Sequence, residues 1–347
     1  VGVGSISGIV YVDHNADAVD GPGDSPLAGA TVYIDSNNNG ILDGAHTATF
    51  TSTNVPLPIP DNSPAGVLST LNISGMGTAI TDLNINFTIN HTFDRDLTVT
   101  LIGPDGTSLK LFSGIGASGD NFVNTTLDDS ASITIGSGGS IAPFTGTFKP
   151  AGGMLSLFNG HPIDGVWTLK VVDGARQDTG TLIAWSLIAT VASEASTLSD
   201  GQGRYAFNNL SFGAYTVREV VPSGYFQTQP SPGVPPAPPP GFALTVNGTI
   251  LNQNFGNFPT SFTAAGTGDG YTVGLSADGS RLQIFAGVDS PPFLATPTYS
   301  IALTELPSVT LLFRLLGTNE NLVLNFANGN PLVAGNITLQ GAAATNP

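Results

Sequence analysis

The amino-acid sequence predicts an all-β protein: multidomain β-sandwiches, one nested inside another, followed by a C-terminal β-rich domain. Three observations carry this expectation. Short runs rich in β-branched and aromatic residues recur along the chain, bounded by Gly, Pro, Asn or Asp. No segment of helical length carries a 3.6-residue period. Gly and Pro number 44 and 25 of 347 residues, about a fifth of the chain, which requires frequent turns.

The elements follow in order. Residues 6–12, Ile-Ser-Gly-Ile-Val-Tyr-Val, and 30–34, Ala-Thr-Val-Tyr-Ile, read as strands. A different pattern opens at residues 54–62 and closes at 178–190. It contains strand-like runs at 83–89, 97–102 and 166–172. We therefore expect residues 51–192 to form one inserted domain, with 1–50 and 193–258 as the two halves of an outer domain. Residues 231–240, with the run Pro-Pro-Ala-Pro-Pro-Pro, predict a stiff extended surface loop inside the second half. From Thr260 onward, strand-like runs at 271–275, 281–285, 299–303, 309–313, 322–326 and 337–339 come at near-regular spacing. That spacing predicts a β-solenoid or a small sandwich over 259–347.

Composition narrows the function. Net charge is −16, with nine Lys+Arg against 25 Asp+Glu. Nucleic acid is excluded as a partner, because phosphate binding needs clustered Lys and Arg. An acidic surplus suits solubility outside a cell and Ca²⁺ binding through hard oxygen donors. There is no cysteine, which rules out disulfides, zinc–thiolate sites and thiol nucleophiles. No 18-residue apolar run occurs, so no membrane-spanning helix is expected. Val1–Gly4 has no basic or long apolar stretch, and any signal peptide is expected to have been removed.

Two loops carry cation-ligand spacing. Asp13, Asn15 and Asp17 supply oxygens at relative positions 1, 3 and 5, with Asp20 and Asp24 at 8 and 12. The glycine usual at position 6 is Ala18. Asp35, Asn37, Asn39 and Asp43 stand at 1, 3, 5 and 9, with Gly40 in its expected place. That loop lacks a carboxylate at 12, where His46 sits. The competing reading of both is an Asx-rich turn. Catalytic sets do not assemble from the sequence. The histidines are His14, His46, His91 and His161, with no Gly-x-Ser-x-Gly elbow and no His-Glu-x-x-His pair. We expect no enzyme activity. Sequons at Asn72, Asn86, Asn90, Asn124, Asn209, Asn247 and Asn336 permit glycosylation outside the cell. Trp167 and Trp185 are expected in a core rather than on a sugar-stacking platform.

The inserted segment resembles the P domain that follows the catalytic domain of furin- and kexin-like subtilases. The matching residues include Pro58–Asn62 (Pro-Ile-Pro-Asp-Asn), His91–Leu97, Leu101–Thr107 (Leu-Ile-Gly-Pro-Asp-Gly-Thr), Gly119–Phe122, Ala142–Pro150 and Gly165–Leu169 (Gly-Val-Trp-Thr-Leu). The resemblance implies a jelly-roll-like sandwich without catalytic groups of its own. It also implies Ca²⁺ held by carboxylates near Gly119–Phe122, with Asp120 and Asp128 as the chief candidates among Asp94, Asp96, Asp120, Asp128 and Asp129. The flanking halves resemble the B-type repeats of bacterial surface adhesins. Here the matching residues are Ser7–Asn15, Pro26–Ile34, Gly203–Phe207, Asn209–Val217 and Pro222–Tyr225. That resemblance implies a prealbumin-like stalk module with Ca²⁺ loops. Some relatives carry a Lys–Asn isopeptide bond. The lysines, Lys110, Lys149 and Lys170, all fall in the inserted segment, so the outer domain cannot form one.

The expected function is a secreted, bacterial, Ca²⁺-stabilised subunit of a surface fibre, sheath or stalk, self-associating through strand edges. The alternative is a monomeric adhesin presenting the P-like domain to a glycan or a surface protein.

Overall fold

The computed structural model describes residues 2–230, 240–266, 269–287, 296–305, 310–317, 319–332 and 337–341. The proline-rich run at 231–239 lies outside the described residues, as do Val309 and Asn336. The described residues are all-β, with single-turn 3₁₀ helices at Asp94–Asp96 and Leu155–Phe158. It divides into two compact units. Unit 1 comprises Val1–Ile34 with Ala195–Pro347, and unit 2 comprises Asp35–Glu194.

Unit 1 opens with β1 (Val3–Val12), β2 (Ser25–Pro26) and β3 (Thr31–Ile34). Unit 2 follows with β4 (His46–Thr51), β5 (Leu57–Ile59), β6 (Val67–Ile73), β7 (Ile80–His91), β8 (Leu97–Ile102), β9 (Ser108–Ser113), β10 (Phe122–Leu127), β11 (Phe144–Phe148), β12 (Gly165–Asp173) and β13 (Gly180–Val191). Its first sheet runs β11-β10-β7-β13-β4, with β5 also on β13, and its second runs β6-β12-β8-β9. Period-2 alternation turns one face of each strand inward. Leu83, Ile85, Phe87 and Ile89 of β7 are buried, as are Trp167, Leu169 and Val171 of β12. Phe112 stacks on Phe122 at 4.9 Å, and Phe122 on Phe144 at 5.0 Å. The tryptophans are core residues. Trp185 pairs with Phe87 in register and donates its indole N–H to Ser69 Oγ at 2.7 Å. Trp167 donates to the Ile163 carbonyl at 2.8 Å. Each buried indole is thus packed and hydrogen-bonded.

Strand β4 lies in this sheet, with Phe50 opposite Leu187 and His46 opposite Val191. Its placement has a geometric cause. β13 is 12 residues long, and β5 pairs only with Gly180–Leu182 at its start. The same side of β13 remains open from Ser186 to Val191, and β4 fills it. Residues 35–50 accordingly fold with unit 2, whereas the sequence pattern places them in the first half of the outer domain, 1–50.

Unit 1 resumes with β14 (Ser196–Leu198), β15 (Arg204–Ser211), β16 (Gly213–Val220), β17 (Tyr225–Gln229), β18 (Gly241–Val246), β19 (Thr249–Ile250) and β20 (Phe255–Pro259). One sheet runs β15-β1-β20-β17, with β2 and β19 on β1, and the other runs β14-β3-β16-β18. β3 and β14 are neighbours, with Tyr33 opposite Ser196, although unit 2 separates them in sequence. Between the sheets sit Ile6, Val10, Val32, Val217 and Phe255.

The remaining strands of unit 1 are β21 (Ser261–Ala264), β22 (Gly270–Leu275), β23 (Arg281–Ala286), β24 (Tyr299–Ala302), β25 (Leu311–Leu315), β26 (Asn321–Asn325) and β27 (Ile337–Gly341). β21, β25 and β27 pair in parallel, and β22 pairs in parallel with β26. Ser261 faces Leu312 and Tyr271 faces Leu322, the same separation of 51 residues (312 − 261 and 322 − 271). Successive segments therefore stack strand on strand, the pairing by which a solenoid grows. Their core, with Val273, Ile284, Ile301 and Phe313, is continuous with Phe258 of β20 and with Ala16.

Candidate cation-binding loops

The first loop begins where β1 ends. Asp13 is fully buried. Its Oδ1 accepts the Asp17 N–H at 3.3 Å, and its Oδ2 accepts the Ala18 N–H at 2.9 Å and the Thr228 hydroxyl at 2.7 Å. Asn15 Oδ1 accepts the Asp17 N–H at 3.1 Å, and Asp17 Oδ1 accepts the Val19 N–H at 2.9 Å.

The second loop repeats this pattern residue for residue. Asp35 Oδ1 accepts the Asn39 N–H at 3.1 Å, and Oδ2 accepts the Gly40 N–H at 2.9 Å. Asn37 Oδ1 accepts the Asn39 N–H at 3.1 Å, and Asn39 Oδ1 accepts the Ile41 N–H at 2.7 Å. The backbone agrees. Positions 4 and 6 have positive φ in both loops, 51° and 62° at Ala16 and Ala18, 56° and 80° at Asn38 and Gly40. Ala18 thus takes the left-handed conformation that glycine adopts without strain, and the loop closes despite its Cβ.

The loops differ in where the last carboxylate comes from. In the first, Asp24 at position 12 accepts the N–H of position 2, His14, at 2.9 Å. In the second, the exposed His46 at position 12 turns its ring to the Gly44 carbonyl. Glu194 takes the role instead. Its Oε1 accepts the N–H of position 2, Ser36, at 2.7 Å, and its Oε2 accepts the Asp43 N–H at 3.1 Å. Sequence spacing missed Glu194 because it lies 151 residues from Asp43. Only the return of the chain after β13 delivers it. Asp43 Oδ2 accepts the side-chain N–H groups of Asn37 and Asn39 at 2.8 and 2.9 Å, so it too joins the loop.

Electrostatics reports the crowding of acid. Burial raises the Glu194 pKa, and the charges of Asp35 and Asp43 add to it. Burial also raises the Tyr11 phenol, with further contributions from Asp13, Asp24, Asp20 and Asp17. Asp20 is itself raised by burial and by Asp24. No cluster of three or more His, Cys, Asp or Glu side chains converges on one point among the described residues. The donors of each loop are a mixture of carboxylate and amide oxygens. All are hard oxygens, the chemistry that fits Ca²⁺ and not zinc.

A third acidic corner lies in unit 2. Asp94 is fully buried, its Oδ1 accepts the Asn121 N–H at 2.9 Å, and its Oδ2 has no partner. Burial pushes its carboxyl up to about 7, the Asn121 N–H opposes this, and the Asp120 charge adds to it. A cavity of about 300 Å³ opens beside it, lined by Asn90, His91, Thr92, Asp120, Asn121 and residues 179–181. The structure separates the two candidates of this segment. Asp120 precedes β10 and Asp128 follows it. A six-residue strand spans about 20 Å. Asp128 instead closes a turn onto the Ser130 N–H at 2.7 Å and lies near Asp82. Asp129 caps the second 3₁₀ helix through the Leu155 and Ser156 N–H groups, both at 2.8 Å.

The histidines are spread among different partners. His91 meets Asp173 at 3.4 Å in a buried pair, and its other ring nitrogen faces the Phe93 carbonyl. His161 meets Asp105 at 2.5 Å at the surface. His14 lies 3.4 Å from Ser25 Oγ and edge-on to Tyr299.

Residues 80–189 match the proprotein convertase P-domain. The match runs from the first residue of β7 almost to the end of β13 and covers the Asp94–Asp120 corner. Leupeptin-inactivating enzyme 1 of Streptomyces exfoliatus is 31% identical over 130 residues, 37% of this chain and 23% of that protein. The chain therefore spans less than a quarter of that relative. A serine protease of Aeromonas sobria in complex with its chaperone aligns with 18% identity and a TM-score of 0.30, over 45% of this chain and 28% of that one. The group B streptococcus pilus 2b backbone protein aligns with 7% identity and a TM-score of 0.13, over 66% of this chain and 97% of that one. The P-domain match thus accounts for most of unit 2 and for none of unit 1. No helix of the described residues is long and apolar enough to cross a membrane.

Proposed function

We propose that this chain is a non-enzymatic extracellular protein, a subunit of a bacterial surface fibre, sheath or stalk, whose units are stabilised by Ca²⁺ and associate through strand edges. The observation that carries the proposal is a pair of apolar strand edges on the stacked strands of unit 1 that no other described strand covers. Among the described residues β27 pairs only with β25, and its Leu339 is 57% exposed. Among the described residues β26 pairs only with β22, with Val323 exposed on it and Phe326 just beyond. Neither strand carries a lysine to block the addition of another strand. A P-domain stretch without an assembled catalytic set supports a supporting role rather than a chemical one. In this reading β1, β3 and β14–β20 form a B-type stalk module interrupted by unit 2 between β3 and β14.

The Ca²⁺ part rests on three sets of oxygens. They are Asp13, Asn15, Asp17 and Asp24 with Asp20 beside them; Asp35, Asn37, Asn39 and Asp43 with Glu194; and Asp94 with Asp120. The unpartnered Asp94 Oδ2 is what a cation there would satisfy. Ca²⁺ would add charge compensation at these acidic corners, beside the Arg281 guanidinium that donates to the Asn15 carbonyl in the first.

One observation favours the adhesin alternative. The cavity beside Asp120 is lined by hydroxyl and amide groups suited to a glycan. Sizing and negative-stain microscopy of the full chain, with Ca²⁺ and with EGTA, separate the two. Assembly that grows with concentration is the expected result. A chain that stays monomeric at high concentration in both conditions removes the fibre reading and leaves the adhesin.

A further inference from the structure

Three buried side-chain oxygens on strands of the outer sandwich of unit 1 have no donor. They are Glu219 Oε1, Gln227 Oε1 and Asn257 Oδ1. The side chains are 1%, 4% and 0% exposed, so water does not satisfy them from outside. Glu219 is on β16 in one sheet, and Asn257 is on β20 in the other. Glu219 shares the inner face with Val217, and its register partner is the core residue Val32. Asn257 shares the inner face with Phe255, and Gln227 is its register partner on β17. A single bond crosses the gap at this point, from Asn257 Nδ2–H to Glu219 Oε2 at 3.0 Å.

Two of the three unmatched atoms are the second oxygens of the groups this bond already joins. A carboxylate facing a carboxamide can make only one hydrogen bond, because the remaining atom on each side is an acceptor. A neutral carboxylic acid makes two, in a closed ring. We propose that Glu219 is held as the neutral acid and that Glu219 and Asn257 form a paired acid–amide latch between the two sheets. Oε1–H donates to Asn257 Oδ1 while Asn257 Nδ2–H donates to Oε2. One proton then removes two unmatched acceptors.

The surroundings agree. Val10 and Val12 of β1 and Val32 of β3 face the pair with apolar groups. Gln227 adds only an amide, whose Nε2 donates to the Gln229 and Pro240 carbonyls. Tyr205 of β15 keeps its phenol proton, raised by burial and by Glu219, and donates it to the Gln253 carbonyl at 2.6 Å. Arg218, next along β16, lies on the opposite face by strand alternation. Burial lifts the Glu219 carboxyl from 4.5 to about 8, against the pull of the Asn257 N–H.

This latch makes the outer sandwich sensitive to pH. Because the folded-state pKa is the higher one, its contribution is complete below about 4.5 and is lost as pH rises toward about 8. Glu219→Gln reproduces the neutral pair without a titrating proton, its amide N–H taking the place of the acid O–H.

The test compares thermal midpoints of the full-length wild type and Glu219→Gln across this range. The two should melt together near the lower limit. Near the upper limit the variant should melt several degrees higher, and the pH dependence of the difference should correspond to one proton. Carboxyl-labelled glutamate in the wild type gives a second measurement that needs no variant. One glutamate carboxyl carbon should titrate close to pH 8 by NMR. Superimposable pH profiles, or glutamates that all titrate in the ordinary carboxylate range, would overturn the latch.

Discussion

Chelation of a Ca²⁺-loaded sample should lower the melting temperature of both units. A ligand bound only to the folded state stabilises it by about 2.7 kcal/mol at a concentration 100 times its dissociation constant. For domains of this size each kcal/mol shifts the midpoint by roughly 2–4 °C. A loss of about 5–10 °C per occupied site is expected in excess EGTA. The mutational arm assigns the sites. Asp13→Asn should remove the Ca²⁺ response of unit 1 and leave that of unit 2. Glu194→Gln should weaken the response of unit 2 as much as Asp35→Asn does, since Glu194 accepts the Ser36 N–H as Asp24 accepts that of His14. An EGTA melt indistinguishable from the Ca²⁺ melt would count against all three sites. A normal response in Glu194→Gln would return the second loop to the ligands visible in its own sequence.

Trp185→Ala should cost unit 2 about 3–5 kcal/mol, the range for deleting a large buried aromatic. The loss has two parts. The cavity opens against Phe87, its register partner, in the middle of the core. Ser69 on β6, in the opposite sheet, loses the indole donor that ties the two sheets together. Trp185→Phe should recover part of the packing and none of that bond. Leu157→Ala is the control. Leu157 is 48% exposed, and its truncation should shift stability by about 0.5 kcal/mol or less. Urea unfolding followed by tryptophan fluorescence reads these variants. Equal midpoints for Trp185→Ala and Leu157→Ala would mean that the sheets are not held together at this point.

The strands were legible in the sequence because their signal is local. Period-2 burial along Leu83–Ile89 and Val166–Val172 follows from the pleat, and the turns around them follow from Gly, Asn and Pro chemistry. The turn-forming residues at positions 1, 3 and 5 of each Asx-rich loop were legible for a similar reason. A loop that folds onto its own backbone N–H groups needs its oxygens two residues apart, and that spacing is visible in Asp13, Asn15 and Asp17 and again in Asp35, Asn37 and Asn39. Even the Ala at position 18 was no obstacle, because a tight loop can hold an alanine at positive φ.

What escaped the sequence depends on which distant segments meet. Side-chain type does not reveal that β4 completes the open side of β13, so residues 35–50 looked like part of the outer domain. Glu194 shows no spacing relation to Asp35, and only the closing of unit 2 brings its carboxylate to the loop. Asp120 and Asp128 looked interchangeable in a list of loop carboxylates, until a strand of fixed rise set them at its two ends. Glu219 and Asn257 carry no motif at all. Their pairing exists because two sheets pack face to face, and burial then decides which form of the acid can remain between them. Residue type and short-range spacing thus determined strands, turns and the start of each loop. Contacts across long stretches of chain decided unit boundaries, the last carboxylate of the second loop and the buried acid, because those depend on distances that sequence separation does not encode.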